Sequence, residues 1–149
     1  MMDVNFMGVV HTIQAVLPSM KTRPCGRIIA IASTAGLKGY AYVSAYTATK
    51  HALLGLTRAL ALELAGTSIT VNAICPGYAD TDIIRDSIAT IISKTGRSEA
   101  EARSTFTGAN PQGRLIDPDE VAGTVLWLLS DAARSVTGQA ITIAGGEIM

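Results

Sequence analysis

Apolar residues recur at helical spacing near the start of the chain. Phe6, Val9, Val10, Ile13 and Leu17 share one face and predict a helix over 3–21. Pro18 is expected to bend or end it. Gly8, a weak helix former, is expected to mark the close approach of another backbone. From Arg27 to Ala32 the apolar residues run consecutively instead of alternating, which predicts a strand covered on both faces, as in a parallel sheet. A second helix opens near Ser44 and continues through Leu53, Leu56, Leu60 and Leu64, with Gly66 as its stop. Ser68 to Cys75 reads as the next strand, broken at Pro76-Gly77. Strand, helix and strand at this spacing imply a right-handed crossover and parallel pairing.

The pattern is least regular over 82–110. Ile83, Ile84, Ile88, Ile91 and Ile92 make an amphipathic helix, and Ser98 with Glu101 forms a capping box that opens a shorter one. Asp117, Pro118 and Glu120 then read as N-cap, first helical residue and returning acid of a helix whose buried stripe is Val121, Ala122, Val125, Leu126 and Leu129. A last strand is expected near Gln139 to Ala144.

At 149 residues this is one domain by length. Twelve basic residues balance twelve acidic ones, so charge gives no reason to expect nucleic acid or an anionic membrane as partner. No apolar run reaches the length of a membrane span. Only 16% of residues are charged and 48% are hydrophobic, which is apolar for so short a chain. Either some of that surface belongs against something else, or this is an ordinary alanine-rich domain. Cys25 and Cys75 form no metal-ligand spacing, no metal is expected, and Cys75 reads as a buried small residue. His11 and His51 read as packing or surface residues. No signal peptide is visible, so a cytoplasmic location is expected.

Chemistry concentrates between Ser33 and Lys50. Ser33 follows the strand, and Tyr46 and Lys50 lie four residues apart on one helix face. A free tyrosine titrates near 10 and is a poor base at neutral pH; a lysine ammonium held beside it favours the phenolate. A serine hydroxyl at the strand end can then hydrogen-bond a substrate oxygen, completing a proton-transfer site for a hydroxyl or carbonyl group. A serine after a strand and a Tyr-x-x-x-Lys pair each occur without catalytic purpose. The combination of strand, Ser33, Ala35-Gly36, thirteen positions to Tyr46, and Lys50 on an apolar helix is more specific.

That combination resembles the active-site segment of the short-chain dehydrogenase/reductase family. The likeness extends through Val4-Asn5-Phe6-Met7-Gly8, through the turn Asn72 to Thr81 and through Val136 to Gly146, where Ala144 stands in place of an aspartate common in the family. The resemblance implies an α/β fold, a partial Rossmann-like doubly wound parallel sheet made of the last three strands with flanking helices. It implies NAD or NADP as cofactor and a small-molecule alcohol or ketone as substrate, of 3-oxoacyl or 3-hydroxyacid type. Asn5, Ser33, Tyr46 and Lys50 become the catalytic set. Tyr46, Lys50, Pro76, Gly77, Ala79 and Thr81 become the cofactor-binding set. Residues 80–110 become a variable substrate-binding lid, whose apolar face suits a partly apolar substrate, although core or interface packing accounts for the same isoleucines. The helices over 3–21 and 44–65 become the surface of a homo-oligomer.

The family's glycine-rich phosphate turn is not in the sequence. By the resemblance the chain begins at the fourth helix and holds three of seven strands, as the C-terminal portion (1–149) of a single domain, and a fragment or truncated product is expected. The alternative is a catalytically inactive remnant that persists as a dimerisation or interaction module. A non-redox enzyme on the same scaffold fits less well, since Lys50, Pro76-Gly77 and Thr81 are all retained.

Overall fold

A computed structural model describes all residues 1–149. Three strands, β1 (Gly26–Ile31), β2 (Ile69–Pro76) and β3 (Ala140–Ile143), form one sheet in the order β1-β2-β3, and both pairings are parallel. Five helices flank it: α1 (Gly8–Met20), α2 (Ser44–Glu63), α3 (Asp82–Thr95), α4 (Glu99–Thr107) and α5 (Pro118–Leu129). None is long and apolar enough to cross a membrane.

The strand alternation of side chains builds two cores. Ile28, Val71 and Ile69 pack with Ile13 of α1 and with Ala61 and Leu64 at the end of α2. Ala30, Ala73 and Cys75 pack with Leu53 and Leu54 of α2. On the opposite face Ile74 meets Leu128 of α5 and Ala133, with Ile29, Ile141 and Ile143 alongside. Helices therefore cover both faces, as a parallel sheet requires. Asn72, 1% exposed, lies among these apolar groups and is bonded at both ends of its amide: Nδ2 donates to the Val136 carbonyl (2.7 Å) and Oδ1 accepts from the Gln139 N–H (3.1 Å).

Both capping boxes form. Ser98 Oγ accepts from the Glu101 N–H while the Glu101 carboxylate accepts from the Ser98 N–H, and Asp117 and Glu120 reciprocate in the same way, with Pro118 in the first turn. Pro18 lies in the last turn of α1, which ends at Met20 as expected of it, and the carbonyl that Pro18 cannot bond, that of Gln14, is at an exposed position. Three expectations are corrected. The chain enters α1 through a π turn at Asp3–Met7. Gly8 approaches no other element; an added Cβ would find only Asp3 O, 3.6 Å away on its own turn. Gly66 does not end α2, which ends at Glu63, where the Leu64 carbonyl accepts from both the N–H and the hydroxyl of Thr67 (2.9 and 2.7 Å). Likewise β1 is not equally covered on both faces. Ile28 and Ala30 are buried, but Ile31 is 49% exposed, because β1 is an edge of this sheet.

Candidate active site

The C-terminal ends of β1 and β2 open onto a cleft of about 470 Å³. Such crevices outside the carboxyl ends of strands are where open α/β sheets bind ligands. Ser33 follows β1 in extended conformation and caps a short 3₁₀ turn, Thr34–Gly36, its Oγ accepting from the Ala35 N–H at 3.1 Å. Gly36 lets that turn press on α2: an added Cβ would lie 2.9 Å from the Lys50 carbonyl and 3.1 Å from Leu54. The serine is thus registered directly against the helix that carries Tyr46 and Lys50.

Lys50 reaches back to the sheet, where Nζ donates to the Ile31 carbonyl at 2.9 Å, and it lies 5.6 Å from the Tyr46 ring centroid. Burial holds the Lys50 ammonium below the ordinary lysine value, with Cys75 acting in the opposite sense. Cys75 is fully buried behind this group; burial raises its thiol, while a main-chain hydrogen bond from Ser33 and the charge of Lys50 pull it back.

The second wall is the turn after β2. It is fixed from outside by Ile116, whose N–H donates to the Tyr78 carbonyl and whose carbonyl accepts from the Asp80 N–H, both at 2.9 Å. Tyr78 stacks edge-on against Phe106 of α4, with centroids 5.2 Å apart. Burial, Glu147 and Tyr46, in that order, raise the Tyr78 hydroxyl above its ordinary value.

Ser33, Tyr46, Lys50, Pro76, Gly77, Ala79 and Thr81 all line the one cleft. Asn5 does not. It is half-buried in the π turn, which packs on α2, and its side chain makes no hydrogen bond. Sequence reasoning also missed a polar cluster beneath the cleft. The Glu147 side chain, 2% exposed, accepts from the Tyr40 hydroxyl and pairs with Lys38 Nζ at 3.1 Å. Tyr40 also bonds Thr34 Oγ1 at 2.7 Å. Burial and Glu147 push the Tyr40 hydroxyl far above its ordinary value. A lone acid near the end of the chain carries no local signal of such a role.

The residues present fit the nicotinamide half of a dinucleotide: a lysine with spare ammonium protons, a hydroxyl at Thr81 and a rigid Pro76–Ala79 turn face one space. No glycine-rich turn for a diphosphate accompanies them.

Known proteins place this arrangement. The family model described as Enoyl-(Acyl carrier protein) reductase matches residues 1–147. A Streptomyces virginiae protein named as a monensin polyketide synthase ketoacyl reductase is 43% identical over 149 residues, covering 97% of this chain and 56% of its own. A D-beta-hydroxybutyrate dehydrogenase of Cupriavidus necator is 39% identical over 146 residues, covering 97% and 57%. An actinorhodin polyketide ketoreductase variant solved with NADPH superposes with a TM-score of 0.88 at 40% identity, covering 96% of this chain and 56% of its own. The chain thus spans little more than half the length of these relatives. With the model matched over nearly every residue, and with the strand–serine and tyrosine–lysine segments in one cleft, the chain belongs to the short-chain dehydrogenase/reductase family.

Proposed function

We propose that this chain supplies the proton-transfer side of an NAD(P)-dependent oxidoreductase that interconverts an alcohol and a ketone of 3-oxoacyl or 3-hydroxyacid type. The observation that carries the reading is the convergence of Ser33, Tyr46 and Lys50 with the Pro76–Thr81 turn on one cleft. Lys50, Thr81 and the main chain of Pro76 to Ala79 would hold the nicotinamide and its ribose. When bound, the cofactor supplies a hydride to the carbonyl carbon, or accepts it in the reverse direction.

The protein's part is the proton. In reduction Tyr46 donates its hydroxyl proton to the carbonyl oxygen as negative charge develops there. Ser33 Oγ already accepts from the Ala35 N–H, so its own proton is free to bond the same oxygen and stabilise that charge. Lys50 is held on the Ile31 carbonyl by one proton, and its remaining charge faces the phenolate that Tyr46 leaves behind. Asn5 would join only through water, returning a proton from solvent to the lysine. Residues 80–110 would cover the substrate as a lid, and α1 with α2 would serve as the surface of a homo-oligomer, on which Leu62 is 82% exposed and Val16 41%.

Titration of the purified chain with NADPH and NADH, followed by nicotinamide fluorescence, tests the reading. Weak saturable binding, about millimolar because half the cofactor is uncontacted, should be weakened further by Lys50→Ala. Tyr46→Phe should leave binding intact and lower any ketone turnover by about 10²-fold or more. Folded protein that binds neither cofactor, or binds both regardless of Lys50, counts against it.

A further inference from the structure

Resting on the reading of the cleft as a ketone site, we infer that it takes a ketone with no charge near the reacting carbonyl and with an apolar arm, and turns away the free 3-oxo acid. The rise along α2 is about 1.5 Å per residue, so Val43, just before the helix, lies on the opposite side of Tyr46 from Lys50. Tyr42 adopts a left-handed backbone (φ 67°) and projects wholly into solvent, while Tyr40 and Val43 on either side both face the cleft. Such a conformation is uncommon for a bulky residue.

Ile83 and Ile84 of α3 line the same cleft as Val43. Val43 is 43% exposed and Ile83 is 77% exposed, so the cleft lining leaves apolar surface uncovered. An apolar substituent on the ketone, entering there, would remove that surface from water.

A carboxylate in the same space would find no partner. Lys50 is the one cation among the lining residues; Ile31 takes one of its protons, and in the proposed function the rest of its charge is committed to the Tyr46 phenolate and the nicotinamide ribose. Lys38, which is not among the lining residues, is paired with Glu147. Arg85 and Arg103 turn to Asp80 at 3.0 and 3.7 Å. An acid bound here would surrender its hydration without a counter-charge, which disfavours it strongly.

The test uses the 149-residue chain and a matched pair of probes, ethyl 3-oxohexanoate and sodium 3-oxohexanoate, followed by methyl NMR of Val43, Ile83 and Ile84. The ester should shift these methyls saturably, with the acid at least about tenfold weaker, a difference of about 1.4 kcal/mol. Equal or tighter binding of the acid, or no movement of these methyls with either probe, overturns the inference. Ile83→Lys, at an exposed position that leaves folding intact, should strengthen acid binding about tenfold or more; an unchanged ratio overturns the placement of the arm. None of these readouts needs cofactor or turnover. Ester binding in a chain that ignores NADPH would therefore sink the oxidoreductase reading while leaving the charge selection standing.

Discussion

Tyr40 and Glu147 lie 107 residues apart and share a hydrogen bond in which the tyrosine hydroxyl donates to Glu147 Oε1. The bond ties the loop after Ser33 to the tail after β3, beneath the turn that carries Gly77. An added Cβ at Gly77 would lie 3.0 Å from Glu147 Oε2 and 3.2 Å from the Ala144 methyl, so glycine lets the acid sit there. Because the carboxylate is almost wholly buried, Glu147→Ala should destabilise the chain by about 2–3 kcal/mol, and Tyr40→Phe by about 1–2 kcal/mol. Urea unfolding of both singles and the double variant should give a coupling energy of at least about 0.5 kcal/mol. Strict additivity would show that the two side chains merely lie close.

Gly145 should tolerate no side chain. It holds φ +59°, and an added Cβ would overlap the Asn110 amide. That amide cannot retreat, since Oδ1 accepts from the Gln112 N–H and Nδ2 donates to the Arg114 carbonyl, each at 2.8 Å. Gly145→Ala should cost at least about 3 kcal/mol, from left-handed strain plus overpacking. Thermal melting reads this directly. A variant as stable as the native chain would mean that the 110–114 loop is free to move.

Lys50 should cost stability where it serves chemistry. Burial depresses its ammonium, so between its folded value and the unfolded value of about 10.4 the unfolded chain binds more protons, and stability rises with pH. Below the folded value both states are protonated, and the cost of burying the charge is felt in full. Lys50→Met should leave Tm at pH 7 unchanged or raised by up to about 3 °C, with the advantage shrinking on the alkaline side. Calorimetry at neutral and alkaline pH checks both signs. A lower Tm for the variant at pH 7 would show that the bond to Ile31 outweighs the burial cost.

Acid should find Glu120. Arg114 grips both carboxylate oxygens, at 2.6 and 2.8 Å, and the Asp117 N–H adds a third bond, so the carboxyl is pushed down to about 2. A depressed carboxylate contributes stability that is present above its unfolded value of about 4.3 and is lost as pH falls through the folded value. Glu120→Gln should therefore melt below the native chain at pH 7, and the two Tm curves should converge between about pH 4.5 and pH 2. Parallel curves across that window would remove the Arg114 pair as the cause.

Local signals in the sequence were reliable where the structure is local. Ser98–Glu101 and Asp117–Glu120 are each resolved within four residues, and both boxes form as their spacing implies. The Ser33, Tyr46 and Lys50 group was legible because one crossover fixes it. What escaped depended on partners distant in sequence or on shifts that no residue type announces. The role expected of Gly66 passed to Thr67, whose N–H and hydroxyl both donate to the Leu64 carbonyl. The π turn around Asn5 changes a hydrogen-bond register without a compositional mark. Glu147 drew no notice, since its partners Lys38 and Tyr40 are more than a hundred residues away. The exposed face of β1 depends on what lies beside it, which a run of isoleucines does not reveal.

The buried amide of Asn72 has a consequence for the order of assembly. It accepts from Gln139 and donates to Val136, so it stays unsatisfied inside an apolar layer until a segment more than sixty residues later arrives. β1 and β2 can pair once α2 has folded between them, but their apolar face toward α5 carries this open polar group until β3 docks. Closing so long a loop is slow compared with forming a helix. The floor beneath Gly77 is laid by Glu147, which follows β3. The cleft is thus among the last features of the molecule to appear, and a chain still being synthesised carries its serine, tyrosine and lysine well before it has a finished place to use them.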